Sequence, residues 1–322
     1  MTHEDPSIQF GLSDAFLENL DQLARRDGSW WQDVLLRDDV FIAMRNNSLN
    51  VYYRGASIFR IDDAGGGRIK ALTHIKYLVR QQQVLAELKD DNSFDPSNIG
   101  WQTYEGNQTM NDMVRAAADL SGLEKAGLHP LVLGSNKVID VEISLLRPDA
   151  ETTDDALPEA AKKSGVKQDR IDVVTLENRL EGVTVVFHEA KHFSNSALRA
   201  VAEPKILEQM TRYHDAITRH EKAIADRYEV VCKTLVRLHQ MRIDTRKDAG
   251  GRPPIDLAQA VRDVAAGTER LQIDPNPRLI VFGFDADQRD GRWERDETKL
   301  KQLMPGIKIR AIGNTKSAKD FF

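Results

Sequence analysis

The stretch Val183–Phe193, VTVVFHEAKHF, constrains the fold more than any other part of the chain. Val183, Thr184, Val185, Val186 and Phe187 are β-branched or aromatic and favour a strand. The run then ends in a dense polar cluster of His188, Glu189, Lys191 and His192. A buried strand that runs out into charged side chains can build an active site where a sheet ends. The cluster has two geometries open to it. On a helix, His188 and His192 would share one face at i and i+4. On a strand, Glu189 and Lys191 share a face, and the two histidines lie on the opposite one, a full ~13 Å apart. Ser194-Asn195-Ser196 breaks the segment directly after Phe193, and this argues against a helix.

The bulk composition narrows the class. A chain of 322 residues with 41% hydrophobic content supports one large domain or two modest ones. No apolar run approaches the ~20 residues that span a bilayer, and MTHEDPSIQF lacks the pattern of a secretory signal. Cys232 is the single cysteine, which rules out an internal disulfide framework and a cysteine zinc cluster. These features fit a cytoplasmic protein with no membrane partner. The formal net charge of −5 is not that of a passive nucleic-acid coat, although local basic patches matter more than the sum.

Along the chain, apolar spacing predicts a helix over Leu12–Arg26 with Ser13 or Asp14 as cap. Trp30 and Trp31 follow as core anchors. Val40–Met44, Leu49–Tyr53 and Ser57–Ile61 read as a meander, with turns at Asn46-Asn47 and Arg54-Gly55. Ala71–Leu88 reads as a helix. The polar segment Lys89–Asn98 suggests a boundary, giving an α+β module over residues 1–95 and a second domain over 96–322. Basic residues of the module (Arg45, Arg54, Arg60, Arg68, Lys70, Lys76, Arg80) read first as a solvated surface and second as a face toward a phosphate backbone, with substrate selection or assembly as the module's open roles. Helix is expected over Asn111–Lys125, and strands over Lys137–Leu146, Arg170–Leu176 and Val183–Phe193. The stretch 147–168 reads as a loop. A long helix is expected from Glu203 to about Met241, ending in the breaker Ile243–Pro254. A short helix at Ile255–Ala266, a strand at Arg278–Phe284, a helix at Thr298–Leu303 and a last strand at Ile307–Ile312 complete the order. This is an α/β sandwich around a mixed sheet.

Asp172 lies on the second of the three strands, and Glu189 and Lys191 lie on the third. If those strands pair, Asp172 sits beside Glu189. Two close carboxylates are costly unless a cation lies between them, and Mg²⁺ or Mn²⁺ suits oxygen ligands. The Ala190 carbonyl can face the same space. The order of aspartate strand, Glu189-Ala190-Lys191 strand and following helix resembles the PD-(D/E)XK nuclease superfamily. Gln209 and Tyr213 on that helix form a Q-x-x-x-Y pair, and Asp169-Arg170-Ile171-Asp172 is similar to the D-R-I-D stretch of the RecB-like branch. The resemblance covers roughly residues 110–290 and leaves residues 1–95 unexplained.

The resemblance implies a restriction-endonuclease-like αβββαβ fold and a divalent-metal-dependent nuclease that hydrolyses DNA, with Mg²⁺ as cofactor and Mn²⁺ as substitute. It implies Asp172, Glu189 and the Ala190 carbonyl as metal ligands and Lys191 beside the attacking water. Gln209 and Tyr213 would buttress the site. A further upstream ligand is expected, with Glu142 as first choice and His129 or Glu124 as alternatives. Arg170, Arg199, Lys205 and Arg212 are candidate phosphate contacts, and His192 is a further one. RNA as substrate, a homodimer, and a helicase or other defence or repair partner stay open. No Walker A loop is present, so ATP-driven movement would need a partner. Two other readings remain: a nuclease-fold nucleic-acid-binding module without catalysis, and an H-E-x-x-H zinc peptidase, which needs His188-Glu189-Ala190-Lys191-His192 on a helix.

Overall fold

A computed structural model describes residues 11–78, 85–95, 103–145, 169–199, 204–318 and 320–322. The chain forms two compact units. The first comprises residues 1–119 and 234–254, and the second comprises 120–233 and 255–322. The expected division at residue 95/96 differs from this partition. Lys89–Asp95 does not leave the first unit, because Phe94–Asp95 pairs back onto that unit's sheet.

In the first unit, helix α1 (Asp14–Ala24) buries Phe16, Leu17, Leu20 and Ala24. The Ser13 hydroxyl caps it by accepting from the Phe16 amide at 3.2 Å. Helix α2 (Trp30–Leu36) buries both tryptophans, as expected. Strands β1 (Phe41–Arg45), β2 (Ser48–Tyr53) and β3 (Ala56–Asp63) form the expected meander. Arg54 and Gly55 both have positive φ, 48° and 72°, which matches the twist of a tight hairpin.

The helix expected over Ala71–Leu88 is not formed. Its described part is strand β4 (Ile69–His74), a 3₁₀ turn at Ile75–Tyr77 and strand β5 (Leu85–Leu88). Ala71, Thr73 and Ile75 alternate inward, and β4 pairs with β3 on one side and β5 on the other. A ladder on both edges outweighs the modest helix preference of Ala, Leu and Lys. Residues 79–84, with Arg80, lie outside the described residues. Strand β6 (Phe94–Asp95) ends a six-stranded antiparallel sheet.

Helix α3 (Asn107–Leu120) ends at Ser121-Gly122, and α4 (Leu123–Leu133) begins the second unit. The single helix expected over Asn111–Lys125 is therefore two, and Lys125 falls in the first turn of the second. Strands β7 (Val138–Leu145), β8 (Asp169–Arg179) and β9 (Gly182–His192) pair antiparallel in sequence. Helix α5 (Lys205–Arg219) follows β9, and α6 (Glu221–Asp248) starts after His220. Helix α6 runs through the expected breaker as far as Asp248. Its last turns are anchored in the first unit by Arg246, which donates to the carbonyls of Leu35 (3.2 Å) and Arg37 (2.9 Å). Helix α7 (Gln259–Ala266) is closed by Gly267 in the left-handed region.

Strand β10 (Leu271–Ile273), which the sequence did not announce, joins β9 in parallel. Strand β11 (Arg278–Phe282) also pairs with β9 in parallel, and after helix α8 (Glu294–Leu303), β12 (Ile309–Ile312) pairs with β11. The sheet order is β12-β11-β9-β8-β7, so it is mixed and β9 is central. This explains why Val183 to Lys191 is buried throughout. Among the described residues, no helix is long and apolar enough to cross a membrane.

Candidate active site

The site forms where β8 and β9 part. Their ladder ends at the pair Val173–His188. One residue beyond it, Asp172 on β8 and Glu189 on β9 remain on one face but no longer exchange backbone hydrogen bonds. Side chains complete the backbone instead. The Ala190 amide donates to Asp172 Oδ2 at 2.8 Å, and the Tyr213 hydroxyl donates to the Arg170 carbonyl at 2.7 Å. The Ala190 backbone thus meets Asp172 through its N–H, whereas its carbonyl was the group expected to face a metal.

Glu142 on β7 lies opposite Asp172, between the pairs Val141–Val173 and Ile143–Ile171. Its backbone has φ of 57°, the left-handed region that a non-glycine residue enters only at a cost. The ladder pairs on both sides of it, at Val141 and Ile143, so the distortion is confined to Glu142. Glu142, Asp172 and Glu189 are exposed by only 6%, 7% and 2%, and the sheet ends in three buried carboxyls.

Two lysines interleave with them. Lys125, in the first turn of α4, bridges Asp172 Oδ1 at 2.6 Å and Glu142 Oε1. Lys191 pairs with Glu189 Oε1. Gln209 Nε2 donates to the same Glu189 oxygen at 2.9 Å and to the Tyr213 hydroxyl at 2.5 Å. The one-turn spacing of Gln209 and Tyr213 thus links α5 to both β9 and β8. Glu189 Oε2 is buried and has no partner. Among the described residues, no group of three His, Cys, Asp or Glu side chains is close enough to hold a metal. Lys125 and Lys191 stand instead against the carboxylate oxygens of Glu142, Asp172 and Glu189.

Burial pushes the Glu189 carboxyl up to about 8, the nearby Asp172 charge adds to this, and Lys191 only partly offsets it. Burial raises Glu142 as well, against the pull of Lys125. For both lysines burial opposes the charge, but the carboxylates outweigh it and hold their pKa values above the usual one. Glu189 thus holds its proton more readily than an exposed carboxyl, beside two lysines that hold theirs.

The other expected residues fall as follows. Arg170 points past Glu142 Oε2, 3.8 Å away, with a side chain 41% exposed. Arg212 is on the outer part of α5 and pairs with Glu208 at 2.6 Å. Arg199 is engaged by Asp296 at 2.8 Å and lies over the Phe193 ring, so its guanidinium is turned to the protein rather than to solvent. Lys205 opens α5 and is exposed. Of the alternative upstream residues, Glu124 accepts from the His192 amide at 3.3 Å and from Asn195, and so holds the end of β9. His129 lies further along α4.

His188 sits on the opposite face of β9, almost fully buried, with Nε2 2.8 Å from the Thr175 hydroxyl. Burial, with the charge of Arg278, lowers its pKa to about 3. His192 packs edge-on against Phe282, and its ring lies so close to Gly283 (φ 86°) that a Cβ there would meet it at 2.3 Å. The segment His188–His192 is a strand, so the helical geometry that a zinc peptidase needs is not formed.

Lys125 was not singled out in the sequence. The signal that could have found it is Ser121-Gly122, which restarts the helix and moves Lys125 from a helix end to a helix beginning. Comparison with protein-family models, curated proteins and solved structures finds no match to this chain.

Proposed function

We propose that the second unit is a PD-(D/E)XK-like nuclease domain and that the protein is a divalent-metal-dependent hydrolase of DNA phosphodiester bonds. The observation that carries this is the convergence of Glu142, Asp172 and Glu189, all buried, with Lys191 at the end of paired strands. Burying three carboxyls and holding one of them on a left-handed backbone lowers stability. Such an arrangement is expected where function demands it.

The side chains suit a hard cation by donor type, and such an ion would have to displace the lysines and draw the carboxyls together. They offer carboxylate oxygens, one of them buried and without a partner. Glu142, Asp172 and Glu189 would hold Mg²⁺ or Mn²⁺. A bound divalent ion supplies Lewis acidity and lowers the pKa of water. Lys191 keeps its proton beside Glu189, so its role is to orient the water and offset charge that builds on the phosphate. Gln209 and Tyr213 fix the Glu189 oxygen that faces Lys191. Arg170, at the rim, is the best placed of the expected arginines to meet a phosphate.

The test is cleavage of circular single-stranded and supercoiled double-stranded DNA with Mg²⁺, Mn²⁺ or EDTA, comparing wild type with Lys191→Ala. Cutting that needs metal and falls at least ~100-fold in the variant is the expected result. Equal cutting by the variant, or none by the wild type with any metal, would overturn the assignment. One observation favours a second reading, a nuclease-fold binding module without catalysis: both lysines already neutralise the carboxylates. That module would bind DNA equally in metal and in EDTA and cut it in neither.

A further inference from the structure

Lys125 is unusual in three ways. Its ammonium bridges two buried carboxylates from different strands, Glu142 and Asp172, whose side chains are 5% and 10% exposed. Its own side chain is 32% exposed, so it reaches the pair from the rim and keeps a route back to solvent. It also stands in the first turn of α4, where the helix dipole disfavours a positive charge. The helix alone gives no reason for a lysine there, and the carboxylates do.

The four-carbon stem of a lysine can swing out of such a site without backbone movement, unlike an arginine held by a planar, two-pronged contact.

We propose that Lys125 is a resident counter-ion of the carboxylate cluster: its ammonium holds Glu142 and Asp172 together until a divalent metal displaces it, and this exchange sets the metal concentration at which the site loads. The proposal rests on the metal-site reading above and names a positioning residue beyond it. Lys125 keeps the apo site from flying apart by carboxylate repulsion. It also competes with the metal, so the apo protein is stable and the site stays empty at low metal.

The experiment is Mn²⁺ binding by isothermal titration calorimetry on the full chain, with thermal melts in EDTA and in Mn²⁺, for wild type, Lys125→Met and Lys125→Arg. Lys125→Met is expected to melt lower in EDTA, to bind Mn²⁺ about tenfold more tightly, and to gain more from Mn²⁺ than wild type does. Lys125→Arg, whose guanidinium grips the carboxylates harder, is expected to bind Mn²⁺ more weakly. It also keeps the test open if the methionine variant does not fold. If wild type binds Mn²⁺ but Lys125→Met binds it no more tightly, or Lys125→Arg binds it as well as wild type, the exchange is wrong and the metal site stands. If wild type and both variants fail to bind Mn²⁺, the metal-site reading falls and the exchange with it.

Discussion

Glu142 offers a test of whether the site stores backbone strain. Its φ of 57° lies in the left-handed region while its neighbours pair in a strand. For a residue with a Cβ this conformation costs about 1–2 kcal/mol, and for glycine almost nothing. In an ordinary strand, glycine is about 0.5–1 kcal/mol worse than alanine. At position 142 the order should reverse. Glu142→Ala and Glu142→Gly both delete the carboxylate that meets Lys125 and lies near Arg170, so that loss cancels between them. What remains is the strain relieved minus the entropy glycine adds to the unfolded chain. Glu142→Gly should therefore be more stable than Glu142→Ala by about 1 kcal/mol, or about 2–4 °C in melting temperature for a unit of this size. The assay is urea and thermal unfolding in EDTA, followed by far-ultraviolet circular dichroism, with Mn²⁺ binding measured in parallel. Both variants should lose wild-type Mn²⁺ affinity. An alanine variant as stable as the glycine variant, or more so, would refute the reasoning, because the conformation would then carry no cost.

Further consequences concern the supports of the site and of the sheet. Tyr213→Phe removes the donor to the Arg170 carbonyl and the acceptor of Gln209. Unfolding in urea should show a loss of about 1–3 kcal/mol, and cleavage should fall about 10–100-fold with Mn²⁺ binding retained; full activity would remove Tyr213 from the site. Burial alone would raise the Asp274 carboxyl, but the hydrogen bond from Arg179 (2.7 Å) and the charge of Lys308 hold it below its ordinary value of 3.8. Its contribution is thus fully present above that value and is lost as the pH falls through the lower, folded value. The stability gap between wild type and Asp274→Asn, about 1 kcal/mol after screening at the half-exposed Arg179, should be constant from pH 5 to 8 and close only below about pH 4. A gap that closes by pH 5 would contradict this. Phe187→Ala, at a fully buried position packed edge-on against Tyr228, should cost about 3–5 kcal/mol in urea unfolding, and a loss under 1 kcal/mol would show that β9 is not the core strand described.

Much of this protein is written locally in its sequence. The β-branched run before His188 determined a strand. The alternation of that strand then put Glu189 and Lys191 on one face and His188 on the other, because side chains of a pleated strand alternate whatever surrounds them. The one-turn spacing of Gln209 and Tyr213 likewise placed both on one face of α5. Tertiary structure decided what local pattern leaves open. Residues 71–78 and 85–88, helical by composition, became strands and a turn because β3 offered a free edge. Arg199, a candidate phosphate contact by sequence, was taken up by Asp296, 97 residues away. Glu142 was legible as a strand carboxylate, but its left-handed φ of 57° appears only in the folded sheet. For Lys125 the Ser121-Gly122 break marks a helix start but not a target, since a surface lysine and a lysine aimed at two buried carboxylates look the same in one dimension. A charge buried in low dielectric must find its counter-charge in space, and chain order does not say which one that will be.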